Sequence, residues 1–534
     1  MKPVVIIPTF ISGVSRARKS SSVVTTYDHT TNIHEAGELD RCLGSLENVE
    51  GMGLILVLLC ADQNVEEQAQ VKVQEVVNAH PSLEVIVIAQ PELQAVRQHL
   101  EAKGCPPLKH EVALQGYGAI RNLGLLLANV LGFDAVVFLD DDELVEDPEF
   151  LKKAMYGLGK RTRKGFPILA KSGYYLNDKG TYLSEWEDKW YNRFWQKGSA
   201  FNEWIQAAMK RPRLSRSNHV CGGIMSIHKD AFQSMPFDAW IPRGEDLDYL
   251  LDLRMYGSDV WFDNQWVVRH LPPHSIGEGD RFRQNIFRWL YEYTKLEYSR
   301  ALIDLHPVKP SSLEPYPGPF LEPGLMNRIR ITALLRSFAR PDKQAYRRAA
   351  KSAANEARIY ATRNCSKYYD FQQVWSDVMD RLDSDSELAG LVLNAYLARI
   401  GLGAGQPVAR PASVQSAAVA QSQSVAAAPA AVQSAAVAQS QPAAVAQPQP
   451  VARPANVQPA AAAPVVETRQ SVPATVEAPV ASEGTAAAST VTTPELDPEA
   501  AAAAVAQRAI AAALAERSSI DPGLTSEIRL NVAE

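Results

Sequence analysis

Four short, almost wholly apolar runs mark residues 1–150, at 4–7, 54–59, 85–88 and 135–139, and segments with helical spacing lie between them at 39–46, 65–77 and 120–130. A run that is apolar on both alternating faces is a strand buried from both sides. Such strands alternating with helices predict an α/β domain around a mainly parallel sheet flanked by helices. Parallel strands end on one edge, and ligands bind outside that edge. Pro8, Thr9, Asp62, Asp140, Asp141 and Asp142 all fall there.

The chain has 534 residues, 46% of them hydrophobic, which predicts two or three domains and at least one substantial core. A formal charge of −6 argues against a chain-wide surface for nucleic acid, so no nucleic-acid partner is expected. Five scattered cysteines without a Cys-x-x-Cys spacing encode neither a disulfide framework nor a zinc site, and point to a reducing cytoplasm. The opening "MKPVVIIPTF" is too short in apolar character for a signal peptide, and no later stretch reaches membrane-spanning length. A cytoplasmic protein, soluble or peripheral at a membrane, is expected.

The α/β pattern runs over 1–275. A mostly helical extension follows over 276–402, broken by a proline-rich loop at 307–323. Beyond it the composition turns to Ala, Val, Gln, Pro and Ser, and the decapeptide "VQSAAVAQSQ" occurs at Val414 and again at Val432. A tract so poor in large apolar groups cannot offset the entropy of ordering, so 403–496 is expected to be a disordered tether. A short helix at 498–516, capped by Asp497, is expected within the last segment, 497–534.

The stretch "GFDAVVFLDDDELVEDPEF" drives a buried strand straight into three aspartates. Two readings compete. One is a solvated turn into a helix, with Asp147 as N-cap and Pro148 at the first helical position. The other, favoured by its place at a strand's carboxyl end, is a cation site for a phosphorylated ligand. Just upstream, "GYGAIRNLGLLLANVLG" brings Arg121 and Asn122 toward the same edge.

Taken in order, "VVIIPTF", "AIRNLGL", "FLDDDELVEDPEFL", "CGGIMSIHKDAF" and "RGEDLDYLLDLRMYG" resemble the motifs of the GT-A fold nucleotide-sugar glycosyltransferases, above all the inverting family two. The resemblance covers roughly residues 3–275. It implies transfer of a sugar from a UDP- or GDP-sugar to a hydroxyl of a glycan, lipid-linked or small-molecule acceptor, with inversion and with Mn²⁺ or Mg²⁺. The chemistry asks for such groups: a cation steadies the departing diphosphate, and a carboxylate takes the acceptor's proton.

The resemblance assigns the ribose contact to Asp140 and the metal to Asp142, with Asp141 variable between them. It assigns Asp246 as base with Glu245 beside it, though both residues also suit a helix's first turn. Asp62 falls where the family's base-contacting Asp lies, but "CADQN" departs from the usual run and an ordinary turn fits equally. Arg121 pairs with the diphosphate or the base, or bridges surface carboxylates. Gly222 and Gly223 admit backbone close to the sugar or merely end a strand. His270 is a further metal ligand or a structural histidine, with His274 as its rival.

Trp186, Trp190, Trp195 and Trp204 read as a packed helix face before a stacking platform. The basic segment 281–367, with Phe282, Ile286, Phe287, Trp289 and Leu290, suits an anionic lipid surface or an anionic acceptor. A helical subdomain packed on the core is the plainer reading. Sugar-phosphate nucleotidyl transfer and a non-catalytic nucleotide-binding scaffold are the rival functions.

Overall fold

The structure is a computed structural model, and its described residues are 1–13, 30–185, 189–273 and 277–401. The expectations for 403–496, the helix at 498–516, Trp186 and His274 lie outside them.

Ten strands form one sheet: β1 Pro3–Ser12, β2 Thr31–Asn32, β3 Ile55–Ala61, β4 Val85–Ile88, β5 Ala135–Phe138, β6 Glu143–Leu144, β7 Ala170–Leu176, β8 Leu214–Arg216, β9 Met225–His228 and β10 Val260–His270. The order is β4-β3-β1-β5-β9-β7-β10-β6, with β2 beside β1 and β8 beside β10. The first half is parallel throughout, from β4 to β5. The second half is mixed: β9 runs against both neighbours, while β7 and β10 are parallel. Strands β3, β4 and β5 are buried almost end to end, as continuous apolar runs require.

The helices of the first half are α1 Leu39–Leu46, α2 Glu66–Asn78, α3 Gln90–Ala102, α4 Tyr117–Val130 and α5 Phe150–Met155. Next come α6 Lys197–Met209, α7 Lys229–Ser234 and α8 Glu245–Met255, and then the extension: α9 Glu278–Ser299, α10 Leu325–Ala339, α11 Lys343–Arg348, α12 Ala354–Arg381 and α13 Ser386–Arg399. Helix α4 is buried on all sides from Gly118 to Val130 and packs on β1, β3 and β5. A Cβ at Gly124 would stand 2.9 Å from Ile6, so this glycine lets the helix lie close to the sheet.

The extension is joined to the sheet domain by one continuous core that runs to Tyr396. Helix α12 packs along α9, and α13 returns to α3 and α4. Arg399 donates to Glu92 Oε1 (3.0 Å) and to the Val87 carbonyl (2.8 Å). Phe282, Ile286, Phe287, Trp289 and Leu290 are all buried. They belong to the packed subdomain and offer no lipid-facing surface.

Three local expectations change. Helix α5 starts at Phe150, later than Pro148, because the Asp147 side chain accepts from Glu149 N (3.0 Å) and builds a turn ahead of the helix. Helix α3 lay inside a segment with no predicted element; Pro91 in its first turn and Glu92 Oε2, accepting from Ala89 N at 2.7 Å, start it. Trp190, Trp195 and Trp204 do not share a helix face: Trp190 is exposed in a short 3₁₀ turn, whereas Trp195 and Trp204 are buried.

Candidate active site

The parallel strands deliver their last residues to one edge. Thr9 Oγ1 donates to Asp141 Oδ2 (2.6 Å), and Ser12 Oγ (2.7 Å) and Gly13 N (3.1 Å) donate to Asp62 Oδ2. Pairing of β1 with β5 stops at Ile6, so Pro8 faces no β5 partner with its missing N–H.

The acidic turn after β5 folds back as β6, which pairs antiparallel with the end of β10 so that Glu143 opposes His270. Leu271 N donates to the Asp142 carbonyl (3.0 Å). This two-residue ladder brings His270 Nε2 to 3.3 Å from Asp142 Oδ2. Asp140, 38% exposed at its side chain, turns the other way toward Arg121 Nη2 (3.4 Å). Glu143 is fully buried; its Oε2 accepts from Asp140 N (3.2 Å), and its Oε1 has no hydrogen-bond partner among the described residues.

Burial raises the pKa of Asp140 against the pull of Arg121, and raises Asp141 further, with the charge of Asp142 adding to it. Glu143 is pushed well up by burial and by its acidic neighbours. Burial disfavours charge on His270, but its hydrogen bond to Asp142 and the charges of Asp142 and Asp140 prevail and hold it above the usual imidazole value. A divalent cation fits this turn. It would relieve the crowded carboxylates, and Asp142 and His270 already offer oxygen and nitrogen toward each other.

Arg121 joins this turn to helix α8. Its Nε donates to Glu245 Oε1 (2.8 Å), its Nη1 to the Gly222 carbonyl (3.1 Å), and its guanidinium lies 4.8 Å from the Phe138 ring centre. Glu245 is thus turned to Arg121 and buried. Asp246, the next residue, accepts from Leu247 N (2.7 Å) and lies 3.8 Å from Arg288 Nη2. Gly244 has φ of +82°, and a Cβ there would stand 2.2 Å from the Arg288 guanidinium. Both facts call for glycine. Gly222 and Gly223 make room for side chains: a Cβ would meet Arg121 Nη2 at 2.7 Å or Glu143 Oε1 at 2.3 Å.

Asp246 and His270 line one cavity of about 760 Å³, together with Tyr175, Cys221 and Arg288. Its walls come from β7, β10, α6, α9 and α10. His219, also in the lining, is driven down to about 4 by burial, so its ring is neutral at pH 7. Among the sequence candidates, Asp140, Asp141, Asp142, His270, Arg121, Gly222, Gly223, Glu245 and Asp246 are drawn into one linked cluster. Pro8 and Thr9 border it through Asp141; Asp62 holds the end of β1.

Sequence reasoning missed Glu143, Tyr175 and Arg288. The fourth consecutive acidic residue was a signal for Glu143. Nothing local marks Arg288 among the three arginines of α9. The metal-ligand types also converge at His99, Asp385 and Glu387, where Asp385 caps α13 and Lys103 pairs with both acids (3.7 and 3.2 Å). That cluster fastens α13 to α3.

An α/β sheet whose strand ends gather carboxylates beside a cleft of about 760 Å³ is consistent with the GT-A arrangement of glycosyltransferases. The model of the glycosyltransferase-like family 2 matches residues 22–292, and the chain belongs to that family. Among solved structures, the mannosyltransferase PcManGT from Pyrobaculum calidifontis, in complex with GDP-Man and Mn²⁺, is similar at 14% identity over 72% of this chain and 86% of its own, with a TM-score of 0.34. A mycobacterial protein is similar at 14% identity over 55% and 74%, TM-score 0.28. GalNAc-T7 with UDP, GalNAc and Mn²⁺ is similar at 13% identity over 56% and 51%, TM-score 0.29. No match was found among curated protein sequences.

Proposed function

We propose that the protein transfers a sugar from a UDP- or GDP-sugar to an acceptor hydroxyl, with inversion at the anomeric carbon. The observation that carries this reading is that Asp246 and His270 line one cavity, with Asp142 of the acidic turn 3.3 Å from the His270 ring.

Asp246 takes the proton of the acceptor hydroxyl as that oxygen attacks the anomeric carbon and the bond to the nucleoside diphosphate breaks. Arg288, 3.8 Å away, keeps the carboxylate oriented. Glu245 is a positioning residue: with the Gly222 carbonyl it fixes Arg121, which in turn reaches Asp140 at the donor edge. Asp142 and His270 would hold Mn²⁺ or Mg²⁺, which supplies charge compensation for the departing diphosphate. Asp140, Asp141 and Asp62 would contact the ribose and base of the donor, a reading supported by their position at the carboxyl edge of the parallel strands.

The test is a screen of nucleotide sugars for nucleoside diphosphate release with and without Mn²⁺, using Asp142→Ala and Asp246→Asn. The expected result is metal-dependent release that Asp142→Ala lowers at least about a hundredfold, with Asp246→Asn lowering transfer by a similar factor. Release unaffected by either change would remove this assignment.

A further inference from the structure

The cavity lining carries an excess of cations. Seven lysines and arginines line it against three carboxylates, Glu185, Asp246 and Glu278. Four of the arginines come from the extension: Arg281 and Arg288 on α9, Arg336 on α10 and Arg340 just after its end. Aromatic side chains, among them Tyr182, Trp195, Trp204 and Tyr316, supply the remaining walls.

Arg288 is the sharpest of these. It is buried, it lines the cavity, and its Nη2 has no hydrogen-bond partner among the described residues; the nearest carboxylate on that side, Asp246, stays 3.8 Å away. Its Nε is bonded to Glu292 (3.1 Å). Burial pushes the Glu292 carboxyl up to about 8 despite Arg288, so near pH 7 most of that group is protonated and the arginine keeps its charge. Glu292 and Asp246 already flank this cation, and its Nη2 keeps donor capacity on the cavity side that an anion could take up.

We propose that this cavity is the acceptor site and that the acceptor carries an anionic group, phosphate or carboxylate, held by the arginines of α9 and α10 while its hydroxyl meets Asp246. This rests on the transferase reading above. The donor edge has its own cation, Arg121, in contact with Asp140. Arg336 and Arg340 instead contact Asn192, Phe282, Tyr191 and Glu278, all outside that edge. Aromatic walls suit the sugar rings and the arginines the charge.

The test is calorimetry on the full chain, with a nucleoside diphosphate and Mn²⁺ present, comparing a hexose with its 6-phosphate and its hexuronic acid. The two charged sugars are expected to bind about tenfold tighter or better, and the gap to shrink in high salt. Arg336→Gln with Arg340→Gln should close the gap and leave the affinity for nucleoside diphosphate unchanged. Glu278→Gln, which keeps every cation and unmasks Arg340, should widen it and covers the case in which the double variant does not fold. Equal binding of the three sugars would overturn the proposal. So would a loss of nucleoside diphosphate affinity in the double variant, since the cations would then serve the donor. If diphosphate release from nucleotide sugars persists while the sugars bind equally, only the acceptor assignment fails. If charged sugars are preferred but no nucleotide sugar is cleaved, the anion site stands and the transferase reading fails.

Discussion

Glycine 223 shows how little slack the acidic turn has. A methyl group there would stand 2.3 Å from Glu143 Oε1, and Glu143 in turn holds the Asp140 N–H. Gly223→Ala therefore shifts the whole turn, and diphosphate release is expected to fall by about tenfold or more, with a stability cost of about 1–3 kcal/mol. A full wild-type rate in a folded variant would show that the turn's position does not matter to the chemistry. At this scale the run at 140–142 stood out because three adjacent carboxylates at a strand end repel one another, whereas Asp246 was singled out only by the resemblance. Glu143 and Arg288 were not, because what distinguishes them is the neighbour that tertiary packing supplies: Gly223 for one, Gly244 and Asp246 for the other.

Helices α8 and α9 meet through buried charge. Lys295 lies 2.6 Å from Asp248, 2.9 Å from Asp252 and 3.0 Å from Asp238, and Glu292 sits one turn away under Arg288. The Glu292 carboxyl stands at about 8 when folded, against 4.5 ordinarily, because burial outweighs Arg288. Between those values the folded chain keeps a proton that the unfolded chain has lost, so this group erodes stability as pH rises from 4.5 to about 8. Glu292→Gln has no proton to lose. Wild type is expected to lose urea resistance relative to this variant between about pH 5 and about pH 8.5, measured as denaturation midpoints of the two chains. A constant difference across that range would refute the burial argument. Element by element, the strands were readable since runs buried on both sides leave no other interpretation. Helix α3 was not, for its apolar positions Leu93, Val96 and Leu100 are thinned by polar residues and it shows its purpose only against α13.

Over the whole described chain, α13 acts as a clasp. It carries Arg399 back to the fully buried Glu92 and seats Leu388, Val392 and Tyr396 in the core. Arg399→Ala would strand that carboxylate and is expected to cost about 3–5 kcal/mol in denaturant unfolding. A chain ending after residue 401 keeps the clasp, and should match the full chain in melting temperature and in donor cleavage; a large loss in either would show that later residues complete the fold. The composition break near 402 was plain in the sequence, whereas the return of α13 to the first strands was not, because nothing local records which distant helix a short apolar stripe will meet. The division of the cleft has a last consequence. The acidic turn beside it is anchored in backbone ladders of the sheet, while its cationic wall is carried by side chains of α9 and the end of α10. On the proposal above, substitutions at Arg336 and Arg340 retune what is glycosylated without disturbing how the donor is cleaved, so relatives that share the acidic turn are expected to diverge first in the company their sugars keep.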